Sequence, residues 1–180
     1  MRKSISFCFC VLLLSLTPAQ ADKLATGTYS RFHQNKNFKI IPLPIFDDMT
    51  PIKDGIKLIN SKDNLTITII SFLIDNPKDL SDIRLLNRFN KADFRDPFFN
   101  NINNLSNRKV DQYRFKKING KDVFEFSLID KEDKIKPLKS IIFYEFGKEY
   151  RITLEAQNNQ DLENHAHFIN DCFSIIGIIR

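Results

Sequence analysis

Residues 65–74 read LTITIISFLI, and this stretch decides the fold class. It carries no charge and is rich in β-branched side chains, which favour strands. An unbroken apolar run of this length is typical of a strand that is buried on both faces, so it predicts the centre of a β-sheet. Asn76-Pro77 follows and is expected to end the strand.

An amphipathic helix is predicted over 78–94, after this strand. Asp96-Pro97 is expected to end it, and the five asparagines within 97–109 predict a loop that holds at most one helical turn. Phe98 and Phe99 stand at the start of that loop and have two interpretations. They either close the edge of the core or form an exposed apolar contact for a partner protein. The apolar residues of the helix recur at helical spacing: Leu80, Ile83, Leu86 and Phe89.

Antiparallel strands joined by turns are predicted for the second half of the chain. Asn119-Gly120 is a strong signal for a two-residue hairpin, and Phe146-Gly147 predicts a second turn. A final amphipathic helix is predicted over 159–176. The predicted strands cover 110–116, 123–129, 138–146 and 150–155.

The segment before residue 65 is less regular. A strand is predicted over 38–41, ending at Pro42, whereas 47–63 is rich in turn residues and holds at most a short strand at 56–59. The elements together predict an α+β fold, an antiparallel sheet flanked by helices. We expect one domain over 38–180, preceded by a loose lead over 22–37.

The first 21 residues have the features of a secretory signal peptide. Arg2 and Lys3 form a basic start, 5–16 is an apolar run, and Ala19-Gln20-Ala21 supplies small residues before the predicted cleavage after Ala21. The run is shorter than the roughly 20 residues that a membrane span needs. We therefore expect a periplasmic or secreted protein that has no transmembrane segment after cleavage.

The charge of the chain argues against a nucleic-acid partner. The full chain has 27 Lys and Arg against 22 Asp and Glu, a net charge of +5, and removing Arg2 and Lys3 lowers it to +3. No block of five or six like charges occurs, whereas nucleic-acid binders concentrate Lys and Arg on one surface. No nucleic-acid partner is expected.

The sequence predicts no catalytic, cofactor or metal site. His165 and His167 are about 200° apart around the predicted helix, so they cannot share one metal ion. Asp47, Asp48 and Asp54 lack the spacing of a calcium loop, and glycine-rich phosphate loops and a serine-hydrolase elbow are absent. Cys172, the one cysteine after cleavage, lies on the apolar stripe of the final helix, where a buried thiol is unreactive.

Several segments carry a resemblance to a known family. Residues 38–42 are similar to an early strand that runs into a proline, 118–129 to a central hairpin, 141–154 to a late hairpin, and 161–174 to a closing helix. In this order, residues 38–176 resemble the PsbP-like α/β/α sandwich family, which includes exported bacterial proteins of the DcrB type. The chain departs from the family at 42–46, where a segment of Pro-Gly-Trp type is replaced by PLPIF. The resemblance implies a role in binding or assembly, usually without catalysis.

Two functions follow from these features. The first is a non-catalytic exported protein that binds another protein or an envelope component, through an exposed sheet face or the loop at 96–109, with Phe98 and Phe99 as anchors. The second is an exported enzyme or small-ligand carrier with a pocket between sheet and helix. The residues expected to line that pocket are Arg114, Glu125, Tyr144 and Arg151.

Overall fold

Seven antiparallel strands form the main sheet in the computed structural model, which describes residues 33–34, 36–41, 43–74, 80–106, 108–129 and 136–179. The predicted signal peptide and the lead up to residue 32 lie outside the described residues. The strands are β3 (Asp48–Ile52), β4 (Gly55–Asn60), β5 (Leu65–Leu73), β6 (Lys109–Ile118), β7 (Lys121–Ile129), β8 (Leu138–Glu145) and β9 (Lys148–Glu155). Their order across the sheet is β3-β4-β5-β9-β8-β7-β6.

A small three-stranded sheet joins the two ends of the described chain. Its middle strand β2 (Phe38–Ile40) pairs with β1 (His33–Gln34) on one side and with β10 (Gly177–Ile178) on the other. Phe38 and Ile40 are fully buried against the main sheet, because alternate residues of β2 point into the core.

Helices cover the main sheet on both faces, which gives the predicted α+β sandwich. The α1–α2 face is covered by α1 (Asp82–Leu86), a 3₁₀ turn (Asn87–Asn90) and α2 (Ala92–Ser106). The α3–α4 face is covered by α3 (Asn159–His165), α4 (His167–Ile175) and the small sheet. In the described part of the chain, no helix is long and apolar enough to cross a membrane.

β5 confirms the predicted position of the 65–74 strand in the middle of the sheet, between β4 and β9. The prediction that both of its faces are buried is wrong. Leu65, Ile67 and Ile69 are fully buried on the α3–α4 face, whereas Thr66 and Thr68 are partly exposed on the other. Threonine is β-branched and is found in strands both at buried and at exposed positions. The sequence therefore looks uniformly apolar although buried and partly exposed positions alternate.

The predicted helix over 78–94 and the loop after it are also corrected. The helical conformation is interrupted at Lys91, whose backbone is extended (φ −94°, ψ 128°). α2 then begins at Ala92 and continues through Pro97 to Ser106. α2 forms because the spacing of Phe94, Phe98 and Ile102 places an apolar stripe against the sheet, and this packing outweighs the weak helix propensity of asparagine.

The turn-rich segment at 47–63 is a full hairpin, β3–β4, where at most one short strand was predicted. Pro51 lies in β3, the outer strand, where the missing N–H costs no ladder bond. Elsewhere the predicted turns are present. Asn119-Gly120 and Phe146-Gly147 each have two consecutive positive φ angles, the conformation of a two-residue hairpin turn.

Candidate functional site

Glu125 in β7 is a buried carboxylate on the α3–α4 face. Its side chain is 5% exposed, and Arg114 Nη2 lies 2.7 Å from its Oε1. Lys116 Nζ donates a hydrogen bond to Oε2 of Glu125 and another, 3.3 Å long, to Oδ1 of Asn170 in α4. The carboxylate therefore joins the outer strand β6 to its neighbour β7, and Lys116 extends the link to the covering helix.

The electrostatics of this cluster favour the ionised carboxylate. Burial alone raises the pKa of Glu125, but the hydrogen bond and charge of Lys116, with the charge of Lys139 and the Arg114 bond, hold that pKa below its ordinary value. A cavity of about 10 Å³ lies beside Glu125, Ser127 and Lys139. This volume holds about one water molecule, and the contacts above make the cluster an ion-pair network that joins β6, β7 and α4.

Glu149 in β9 organises a second polar cluster, on the α1–α2 face. Tyr144 Oη donates to Glu149 Oε2 at 2.8 Å, and Arg151 Nη2 donates to Glu149 Oε1 at 2.7 Å. The guanidinium carbon of Arg151 lies 5.5 Å from the ring centre of Phe98 and 5.9 Å from that of Phe72. Burial and the Glu149 charge raise the pKa of Tyr144, so its hydroxyl stays protonated.

The structure corrects the expectation of one pocket lined by all four predicted residues. Arg114 and Glu125 face α3–α4, whereas Tyr144 and Arg151 face α1–α2. Side chains alternate along a strand, so the sheet itself separates the two pairs. Each pair belongs to one of the two carboxylate clusters.

Phe98 and Phe99 lie inside the aromatic core of the α1–α2 face, which corrects the prediction of an exposed contact. Phe99 is buried, and its ring centre lies 5.6 Å from that of Phe126. Phe98 is half-buried, with its ring edge-on to Phe89 at 5.0 Å between centres. The other interpretation, that the pair closes the edge of the core, agrees with this packing.

The remaining candidates from the sequence are held by local contacts. Cys172 is buried in α4, and burial, with a smaller effect of Asp171, raises its pKa to about 12, which suppresses the reactive thiolate. His165 Nδ1 lies 2.8 Å from the carbonyl oxygen of Asp161. Among the residues that the structure describes, no group of three or more His, Cys, Asp or Glu side chains could hold a metal ion.

Two exposed apolar side chains lie at one end of the main sheet, where the turn between β8 and β9 meets the start of α1. We call Ile83 and Phe146 the turn-end patch. Leu73, opposite Lys148, is also exposed but points to the α3–α4 face. Asp82 in α1 accepts hydrogen bonds from the backbone N–H groups of Phe146 (3.0 Å) and Gly147 (3.2 Å). The carboxylate of Asp82 thereby fixes the turn beside the start of α1.

A groove of about 280 Å³ opens next to this patch. Its lining mixes apolar residues with polar and charged ones: Ile83, Leu86, Phe143, Gly120, Tyr144, Lys121, Asp82, Asp122 and Glu145. Lys121 is paired with Glu145. Tyr144 is the one predicted pocket residue in this lining, and the volume is just below the roughly 300–1,000 Å³ of small-molecule sites.

The turn-end patch was missed because its members are far apart in sequence and lie in elements with different periods. One local signal was available. A two-residue turn with positive φ at both positions favours Asn-Gly, as at Asn119-Gly120, and a phenylalanine in the first position is unusual. Phe146 occupies that position with φ 51°, and its side chain is 46% exposed.

Comparison with solved structures identifies the architecture. The solution structure of cyanobacterial PsbP (CyanoP) from Synechocystis sp. PCC 6803 matches with a TM-score of 0.54 and 9% identity, over 83% of this chain and 92% of that one. The chain has a PsbP-like fold. The predicted fold class is thus confirmed, and at this identity the likeness concerns the fold. No protein-family model matches the sequence, and no curated protein matches it.

Proposed function

We propose that this is an exported, non-catalytic protein that binds another envelope protein through the turn-end patch. The basic start, short apolar run and Ala19-Gln20-Ala21 of the sequence support export. The exposed Ile83 and Phe146, beside a groove whose lining is both apolar and polar, support the binding of a partner surface at this end of the sheet.

The observation that carries the proposal is the conformation of Phe146. A bulky residue in the left-handed region costs about 1 kcal/mol or more relative to glycine or asparagine. The same chain uses asparagine at the equivalent position of its other two-residue turn, Asn119-Gly120. Asp82 holds this turn by two hydrogen bonds, and the phenylalanine presents a half-exposed ring at the surface, which supports a role in binding a partner.

The state of the interior ionisable groups supports a non-catalytic role. Glu125 and Glu149 are each bonded to two neighbouring side chains, and the cavity at Glu125 holds about one water molecule. A general acid or base needs access to a substrate and a pKa near the working pH. The pKa of Glu125 is shifted downward, away from that range.

The test replaces Phe146 by asparagine. Phe146→Asn removes the exposed ring and creates an Asn-Gly turn, so thermal stability should stay equal or rise while partner binding falls at least tenfold. Ile83→Ser should weaken binding in the same direction. The matched control is Ile41→Ser, which removes a 58% exposed apolar side chain outside the patch and should leave binding unchanged.

Binding is measured by photo-crosslinking in envelope extract of the source organism, with the photoreactive residue at position 146 or, as control, at 41. We expect a crosslinked band specific to position 146 that weakens with Ile83→Ser. The same bands from both positions, or full binding by Phe146→Asn, would overturn the proposal.

A further inference from the structure

The outer strand β6 leaves one side of the main sheet open. β6 is ten residues long and pairs with β7 along its inner side. No other strand of the described residues pairs with its outer side. An accessible edge of this length is a template for adding an extended segment from another molecule.

The hairpin register determines which backbone groups of β6 face outward. In a two-residue hairpin, the residues that flank the turn exchange both backbone hydrogen bonds, and bonded pairs then alternate along the ladder. Ile118, opposite Lys121, flanks the Asn119-Gly120 turn. Ile118, Lys116 and Arg114 therefore direct their N–H and C=O groups toward β7. The intervening residues, Tyr113, Phe115 and Lys117, direct theirs to the open edge.

The side chains along this edge differ between the two faces of the sheet. On the α3–α4 face, Arg114 and Lys116 share the single carboxylate of Glu125. On the α1–α2 face, Tyr113 is 44% and Phe115 37% exposed. An added strand would thus have Arg114 and Lys116 beside it on one face. On the other face it would have the rings of Tyr113 and Phe115, with Lys117 next to them, paired with Asp122, and the Arg95 guanidinium over the Tyr113 ring.

We propose that β6 binds an extended segment of a partner protein in which acidic and apolar residues alternate. The acidic side chains lie beside Arg114 and Lys116, and the apolar ones lie against Tyr113 and Phe115, since alternate residues of a strand point to opposite faces. β6 itself carries four basic residues and one acidic residue, KVDQYRFKKI, so pairing of two copies through this edge places like charges side by side.

The test uses the full chain and a blocked eight-residue peptide of alternating Glu and Val. We expect saturable binding, measured by fluorescence anisotropy, that is at least tenfold weaker for the matched peptide of alternating Lys and Val. Hydrogen exchange should slow at the amides of Tyr113 and Phe115 when the acidic peptide is bound. Two further peptides are methylated on alternate backbone nitrogens. The peptide whose methyl groups replace the N–H groups that face β6 should not bind, and the peptide methylated on the other nitrogens should bind unchanged.

Lys117→Pro supplies the test from the protein side. Proline removes the outward N–H of residue 117 but none of the bonds to β7, so peptide binding should fall at least tenfold. Lys117→Ala is the matched control, because it removes the same charge and keeps the N–H. If Lys117→Pro fails to fold, the peptide methylation series decides the question alone.

Three results would overturn the proposal: equal affinity for the acidic and basic peptides, exchange at Tyr113 and Phe115 that is unaffected by the peptide, or a concentration-dependent dimer that Lys117→Pro abolishes. The last result would identify a second copy of the chain as the occupant. Phe146→Asn should leave binding of the peptide to β6 unchanged. Failure of this proposal can therefore be distinguished from failure of the proposal for the turn-end patch.

Discussion

Single carboxylates connect elements that are distant in sequence. Glu125 bonds two cations of the outer strand, Glu149 bonds Tyr144 and Arg151, and Asp82 bonds the N–H groups of a turn more than sixty residues away. Each carboxylate accepts hydrogen bonds from two donors, and such bonds compensate the loss of hydration when a charged group is partly buried. At the scale of residues, these three acids act as positioning groups.

Glu125→Gln is expected to lower the free energy of unfolding at pH 7 by about 2 kcal/mol, because it leaves the partly buried Lys116 beside a neutral amide. The pKa of Glu125 is lowered in the folded protein from its ordinary 4.5. Its stabilising effect is therefore present above about pH 4.5 and is lost as the pH falls further. In urea unfolding, the difference between wild type and variant should stay constant from pH 7 to about pH 5 and shrink as the pH falls below about 4.5.

Asp122→Asn is the matched control for this experiment. Asp122 lies 2.8 Å from Lys117 Nζ and both side chains are exposed, so its replacement should change stability by less than about 0.5 kcal/mol. A difference between wild type and Glu125→Gln that is constant from pH 7 to pH 3 would contradict the role given to the carboxylate.

At the scale of elements, the tightest approach between strands is at the start of β4. A Cβ added to Gly55 would lie 2.1 Å from the carbonyl oxygen of Ile69 in β5. The Cα of Ile70 would lie 3.0 Å away, and these backbone atoms of β5 cannot rotate out of the way. Gly55 therefore sets how closely the β3–β4 hairpin approaches the centre of the sheet.

Gly55→Ala is expected to lower the free energy of unfolding by at least about 2 kcal/mol, because the two strands must separate. The control is Gly177→Ala, where the added Cβ meets only the flexible side chain of Lys39 at 2.9 Å and should cost less than about 1 kcal/mol. Thermal unfolding of both variants measures the contrast. Equal losses would mean that the strand spacing adapts at Gly55.

The sequence predicted best the elements that are determined locally. LTITIISFLI and Asn119-Gly120 each carry their own signal and form the predicted strand and turn. The final helix, predicted as one over 159–176, is divided at Ala166 into α3 and α4. α2 was taken for a loop because its asparagines and Pro97 favour turns, while the packing that stabilises it comes from strands β6 and β7. The four residues of the expected pocket were chosen without the register, and a residue's face depends on where its strand pairs.

At the scale of the whole molecule, one sheet separates two cores. Phe89, Phe99 and Phe124 pack on the α1–α2 face, and Ile67, Ile152 and Phe173 pack on the other. Most of the contacts between phenylalanine rings lie on the α1–α2 face, where several rings pack edge to face. The two binding surfaces proposed above lie outside both cores, at the turn end of the sheet and along its β6 edge.

Export is tested on the whole chain by its processing in a bacterial host. The wild-type protein should reach the periplasm or the medium with Asp22 as its first residue, as read from the intact mass. Ala21→Arg should block cleavage and leave the full-length chain, because the bulky cation does not fit where a small residue is needed. Ala25→Arg, beyond the cleavage point, is the control and should be processed normally. A full-length wild-type chain in the cytoplasm would refute export.

The pairing of β5 with β9 has a consequence for how the chain folds as it is made. Thr66 is opposite Glu155, and Phe38 in the small sheet is opposite Ile178. β5 and β2 therefore pair with strands that are synthesised last, and contacts this distant in sequence form slowly. The main sheet cannot be completed before β9 has been synthesised, and a late-forming sheet is compatible with the export proposed above, which requires an unfolded chain.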